Sequence, residues 1–172
     1  MAASLLIVAP PVLQTANYPV VLLYLLSPAY MLHQVEEHAG DRFRTFINAI
    51  AFGGRLAMTP NDVLVINVGL VWAVNAAALY VGIFAEPGYA LVAPYAMLVN
   101  AIGHLIMAGR FRRYNPGVVT GVVIFLPLSL AMLVSVSISN SVTIAQHVLG
   151  LAGALAIHIL IAANAVRRIR VL

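Results

Sequence analysis

The sequence contains no cysteine and no lysine. Without cysteine there is no disulfide, no thiolate metal ligand and no cysteine nucleophile. Charge of either sign is scarce: charged residues are 8% of the 172, nine arginines against five acids. A soluble domain carries about 25% charged residues, so a surface this poor in charge cannot be made to face water. With 63% hydrophobic residues and a mean hydropathy of +1.01, the class that remains is an all-α integral membrane protein, read as a single domain over residues 1–172. The pI near 9.9 does not point to nucleic acid, because the arginines stand at the ends of apolar segments, where membrane topology accounts for them. The opening stretch MAASLLIVAPPVLQTAN has no positive charge ahead of its apolar run, which argues against a cleavable signal. Pro10-Pro11 breaks that run, and residues 4–16 are read as an interfacial or external lead-in.

A membrane-spanning helix needs about 20 mostly apolar residues. Five segments meet this: about 18–38, 61–84, 89–109, 118–138 and 142–166. The connections after the first and third carry Arg42, Arg44 and Arg55, then Arg110, Arg112 and Arg113. The tail carries Arg167, Arg168 and Arg170, while AEPG and SISNS carry no arginine. Cytoplasmic loops hold the arginine excess, so the expected arrangement is a bundle of five transmembrane helices, N-out/C-in. RFRTFINAIAFGG is too short to cross and reads as an interfacial amphipathic helix with Phe43, Phe46 and Ile47 in the lipid. Pro28, Pro94 and Pro127 are tolerated in membrane helices and can open space between them. GVVTGVV and GLAGALA carry small residues at helical spacing, the mark of close helix packing.

Polar residues fall in one layer. At about 1.5 Å of rise per residue, His33, Asn67, Asn100, His104 and His158 lie roughly 7–15 Å below the arginine-rich surface. On a helical wheel Glu36 and Glu37 flank His33 at about −60° and +40°, on one face, while His38 points about 140° away, toward water or headgroups. Asn100 and His104 form an i, i+4 pair. An ionisable residue within a membrane segment costs a few kcal/mol unless it is partnered or wet, so several at one depth, on four helices, point to a shared site. His147 lies apart, near the external end of the last helix, and reads as polar packing. Trp72 reads as packing or cavity lining, and Asn75 as a bond between helices.

The motifs His33-Gln34-Val35-Glu36-Glu37, Asn100-Ala101-Ile102-Gly103-His104 and Tyr114-Asn115-Pro116-Gly117 occur in this order. In them the chain resembles the HXXEE-motif family of small bacterial membrane proteins, named for His-x-x-Glu-Glu and accompanied by Asn-Ala-x-x-His and Tyr-x-Pro-Gly. The resemblance implies a multi-pass protein of the bacterial inner (cytoplasmic) membrane and picks out these residues, but it implies no reaction. YNPG itself reads as a turn, with Tyr114 at headgroup level.

Several functions fit these residues. The first is a membrane enzyme holding a divalent transition metal, zinc or iron, through His33, Glu37, His104 and His158, and acting on a lipid-like or other apolar substrate. Glu36 would then be a general acid/base or bridging carboxylate, and Asn100 would orient a ligand or the substrate. The His-x-x-Glu-His pattern of zinc proteases is missed by one residue, because Glu37 stands where it has histidine. The second is metal-free acid–base chemistry on isoprenoid-type lipids, as in membrane isomerases and cyclases. The third is a non-enzymatic role, as a small subunit of a membrane complex, a haem or chlorophyll holder with His33 and His104 as axial ligands, or a proton-conducting element, with a homo-oligomer or a membrane complex as the expected partner. In a purely structural reading the acids pair with nearby arginines and Asn100 and His104 bond across helices.

Overall fold

The computed structural model describes residues 16–139 and 141–171. The lead-in at residues 4–16, apart from Ala16, lies outside them. Five long helices and one short one make up the described chain, which contains no strand. α1 is Tyr18–His38, and the short α2 is Arg42–Phe46, continued by a wider turn over Ile47–Ala51. α3 is Pro60–Phe84, α4 Pro87–Phe111 and α5 Val118–Ile138. α6 is Ile144–Val171. α3 through α6 are long and apolar enough to cross a membrane. α1 is not among these four, because Pro28, its tyrosines and the polar stretch from His33 onward occupy much of its 21 residues.

Local sequence sets the helix ends. Asn17 caps α1 by accepting from the Val20 amide at 3.1 Å, with a proline in the first turn. α1 stops where Gly40 and then Asp41 take left-handed backbone angles, φ 68° and 59°; glycine and aspartate are among the residues that tolerate this. Arg44 bonds the Asp41 carboxylate and holds its carboxyl below the usual range. Thr59 and Asp62 form a reciprocal capping box at the start of α3. In α5, Pro127 lacks the amide that would bond back one turn, and the preceding turn, Gly121–Phe125, is widened.

α4 is the central helix. Of its most apolar window 44% is buried, against 11% for α3. It packs most closely on α6, where a Cβ on Gly150 would stand 2.8 Å from Leu91 Cβ. Contacts also fix which helix ends lie together. Arg168 near the end of α6 bonds Asp62 at the start of α3, 2.9 Å. Glu36 near the end of α1 bonds Thr120 at the start of α5, and Glu37 meets His104 near the end of α4. One end of the bundle therefore carries all nine arginines. At the other end, His147 is held by Tyr95 (2.9 Å) and Ser137 (3.1 Å).

Phe46 and Ile47 do not lie in lipid. The chain doubles back at Gly53 and Gly54, both at positive φ, and lays Ala57 and Met58 over the apolar face of α2. With Ala165 of α6 these residues form a second buried cluster, with Phe43 packed against it. The apolar face of this segment has a protein partner in place of lipid. Asn48 pins the return: its amide donates to the Met58 carbonyl (2.9 Å) and accepts from the Ala57 and Met58 amides (2.9 and 2.8 Å). Asn48→Ala leaves these groups unpaired and costs about 2 kcal/mol. Trypsin should then cut after the exposed Arg55 faster than in the parent protein, as followed by gel in detergent.

Candidate functional site

The i, i+4 spacing places His33 and Glu37 one turn apart on one face of α1. His33 Nε2 stands 3.5 Å from Glu37 Oε1, and His104 of α4 brings its Nε2 to 3.2 Å from the same oxygen. The three residues are 1%, 6% and 1% exposed. One ligand atom from each lies within 4.8 Å of the others. The two imidazoles meet edge to face, centroids 5.0 Å apart, and Phe125 stacks on His33 at 4.2 Å.

Thr120 of α5 fixes the state of His33. Its hydroxyl has one proton, which it donates to Glu36 Oε2. It can then only accept from His33 Nδ1, 2.7 Å away. His33 thus carries a proton on Nδ1 and aims Nε2 at Glu37. Nε2 has no hydrogen-bond partner. A metal ion or a second proton can lie between this nitrogen and the Glu37 carboxylate.

Glu36 does not join this group. It straddles the other side of α1 and turns to the start of α5, accepting from the Val119 and Thr120 amides (3.2 and 2.7 Å) and from the Tyr114 hydroxyl (2.8 Å). The first amides of a helix lack internal partners and attract an anion, which is what parts Glu36 from Glu37. Desolvation and the Glu36 carboxylate both push the Tyr114 phenol up, so it remains a donor. The third motif also holds His104. Asn115, fully buried, donates to the His104 carbonyl at 3.1 Å. Gly117 sits at φ 99°, and a Cβ there would stand 2.9 Å from both nitrogens of the His104 ring. Read from the sequence as a turn, YNPG is also the seat of a site histidine.

His38 does not point away. Its side chain is about a quarter exposed, and its Nε2 lies 3.4 Å from Glu37 Oε2. It is the last residue of α1, where the regular wheel gives way to the tighter turn of Ala39–Asp41. A chain of hydrogen bonds reaches it. Trp72 Nε1 donates to Gln34 (3.1 Å), Gln34 to Asn67 (3.1 Å), and the Asn67 amide to His38 Nε2 (2.7 Å). An indole N–H can only donate, so Trp72 sets the direction of every bond in the chain and makes His38 Nε2 an acceptor. None of these links was read from the sequence, because each joins α1 to α3 across 29 or more residues.

The group opens on a cavity of about 310 Å³ between α1, α2, α3, α4 and α6. His158 lies on its wall, outside the group of three, with Nδ1 bonded to the Ala154 carbonyl at 2.8 Å. That bond leaves its Nε2 as the free acceptor. Asn100 also lines the cavity, with Oδ1 buried and unpartnered. Asn75, expected to bond between helices, is 3% exposed and lines the same cavity with its Nδ2 unpartnered.

Two imidazoles and a carboxylate are a donor set for zinc or non-haem iron. Ligands about 2.0–2.1 Å from a tetrahedral zinc stand about 3.3 Å apart, close to the 3.5 and 3.2 Å separations here. The His33 and His104 imidazoles stand edge to face and converge on one carboxylate oxygen. Gly117→Ala should move the His104 ring and add about 1–3 kcal/mol of backbone strain. The expected outcome is a lower unfolding temperature and roughly tenfold or more weaker zinc binding, measured by thermal unfolding and zinc titration of the purified protein.

Compared with curated proteins and with solved structures, the chain matches none. A family model, described as a protein of unknown function with HXXEE motif, matches residues 24–132. That span is more than half of the chain, and it holds the three residues of the buried group together with the Tyr114–Gly117 loop that seats one of them. The chain belongs to the HXXEE-motif family.

Proposed function

We propose that this protein is a membrane metalloenzyme in which His33, Glu37 and His104 hold a divalent transition metal, zinc or iron, beside a cavity for an apolar or lipid-like substrate. The observation that carries the reading is the convergence of His33 Nε2 and His104 Nε2 on one oxygen of the buried Glu37 carboxylate. When bound, the metal would supply Lewis acidity and an activated water. The chain's own residues bind and position. Thr120 orients His33, Asn115 and Gly117 seat His104, and apolar walls keep bulk water out. His158, with its Nε2 free, is placed to accept a proton at the cavity wall. Glu36 serves as a clamp on α5 rather than as an acid or base. The sparsely buried α3 gives the substrate a side entrance from the bilayer.

We further propose that α1 is a fifth span and that the whole chain is one N-out/C-in bundle, with the site in the cytoplasmic leaflet of a bacterial inner membrane. Support comes from the nine arginines gathered at one end. A second reading rests on His104, whose Nδ1 is buried without a partner. A neutral His104 with its proton on Nε2 would donate to Glu37, giving a metal-free acid–base pair for isoprenoid-type lipids.

Elemental analysis of protein purified without chelator separates the two. One equivalent of zinc or iron is expected, lost in His33→Ala and His104→Ala and bound about 10–100-fold more weakly in Thr120→Val. No metal in a folded parent protein rejects the first reading in favour of the second. Because the chain has no cysteine, single introduced cysteines report the topology. Arg112→Cys should resist an impermeant maleimide in intact cells, and Ser139→Cys should react with it; the reverse pattern rejects N-out/C-in.

A further inference from the structure

The walls of the cavity are not equally sealed. Toward the arginine-rich end the doubled-back segment lies across it: Ile47 and Met58 line the cavity and are each 7% exposed. α1 and α4 form an inner wall through Tyr30 and Ala96, both buried. The side shared by α3 and α6 differs. α6 packs mainly on α4 and the deeper half of α3 on α1, and the two do not pack closely on each other. Ala162 of α6 lines the cavity and is also exposed, and Ile66 and Leu70 of α3 line it while only half-buried. Among the described residues every hydrogen bond between these two helices ends on Asp62. Its Oδ1 accepts from Arg168 at 2.9 Å and from Asn164 at 3.4 Å. A few residues further on, over Val65–Trp72, α3 is wound wider than an α-helix. Such turns are rare and recur at functional sites.

We propose that the seam between α3 and α6 is a gate through which the substrate enters from the bilayer, with the Asp62–Arg168 ion pair as its latch. This deepens the reading of the cavity as a substrate site and rests on it. The argument compares what each route must break. Entry from the arginine-rich end has to displace the doubled-back segment, which three bonds to Asn48 hold in place. Entry through the seam separates thinly packed apolar side chains, and an apolar substrate or lipid replaces each contact that is lost. Interhelical packing inside a bilayer has no hydrophobic driving force to resist that exchange. The one costly step is parting Arg168 from Asp62. Both ions stand at the end of the bundle where headgroups and water can solvate them once apart, so the latch opens reversibly. Asp62 stays anchored to α3 meanwhile, because its Oδ2 accepts from the Thr59 amide and hydroxyl (2.8 and 2.6 Å).

The test exploits the lack of cysteine. Ile161→Cys puts a single thiol on the cavity wall. Its labelling is followed in proteoliposomes with N-octylmaleimide, which dissolves in the bilayer, and with a sulfonated maleimide, which stays in water. The bilayer reagent should label faster than the aqueous one. Adding Arg168→Gln should speed the bilayer reagent about fivefold, the scale of one partly exposed ion pair, and leave the aqueous rate unchanged. Ser129→Cys is the control, a buried position in α5 that does not line the cavity; its labelling should not respond to Arg168→Gln. Equal rates with and without Arg168 overturn the proposal. So does faster labelling by the aqueous reagent, which puts the entrance at the water-facing end. A parallel rise at Ser129→Cys overturns it too, because the ion pair then serves overall stability alone. None of these rates depends on a bound metal. A protein without metal that shows the latch-dependent rate rejects the metal reading and leaves the gate standing, and a protein with metal but no latch dependence does the reverse.

Discussion

A carboxylate inside a membrane bundle has to be matched by positive charge or by a dense set of donors, because no water is there to solvate it. Glu37 is that carboxylate, and much of this end of the molecule is arranged around it. α1 and α4 each bring an imidazole to one of its oxygens. α5 supplies the hydroxyl that decides which nitrogen of His33 faces it. α3 supplies the donor chain that settles the state of His38 beside its other oxygen. Each helix in this group is fixed by what it must present to a single buried acid.

The neighbouring glutamate shows the alternative. Glu36 differs from Glu37 by one position and about 100° of helix rotation, and that rotation delivers it to the free amides at the start of α5. One acid of the pair is thus satisfied by backbone and hydroxyl donors and ties two helices together. The other meets the imidazoles of His33, His38 and His104. The adjacency of two glutamates in the motif therefore does not mean two copies of one role. Thr120 touches both residues of interest, Glu36 through its proton and His33 through its lone pair, so the clamp and the site are coupled through one hydroxyl.

The all-helical build and the four helices long and apolar enough to cross a membrane were legible in the sequence, because long apolar segments are a one-dimensional signal. His33, Glu37 and His104 were also legible: i, i+4 spacing and depth along a helix can be counted without knowing the fold. What could not be counted was which neighbour each face meets. Phe46 and Ile47 have the pattern of lipid-facing residues, and only the return of Ala57 and Met58 turns them inward. His38 was placed by a regular wheel that ends at that very residue. Glu36 was grouped with His33 by angle, but the attraction of a helix start on α5 is long-range information. Asn75 looked like one more interhelical amide; its lack of a partner is visible only when the helices are in place. Thr120 had one local cue, its position three residues after Gly117, inside the first turn of a helix.

The chain of bonds from Trp72 through Gln34 and Asn67 to His38 has an optical consequence. This is the only tryptophan in the sequence, so all indole emission comes from one ring whose N–H is tied to the neighbourhood of Glu37. Anything that draws on His38 or rotates Asn67 changes the polarity felt by that ring. The wild-type protein thus carries a built-in fluorophore wired to its own buried acid, with no background from any other indole.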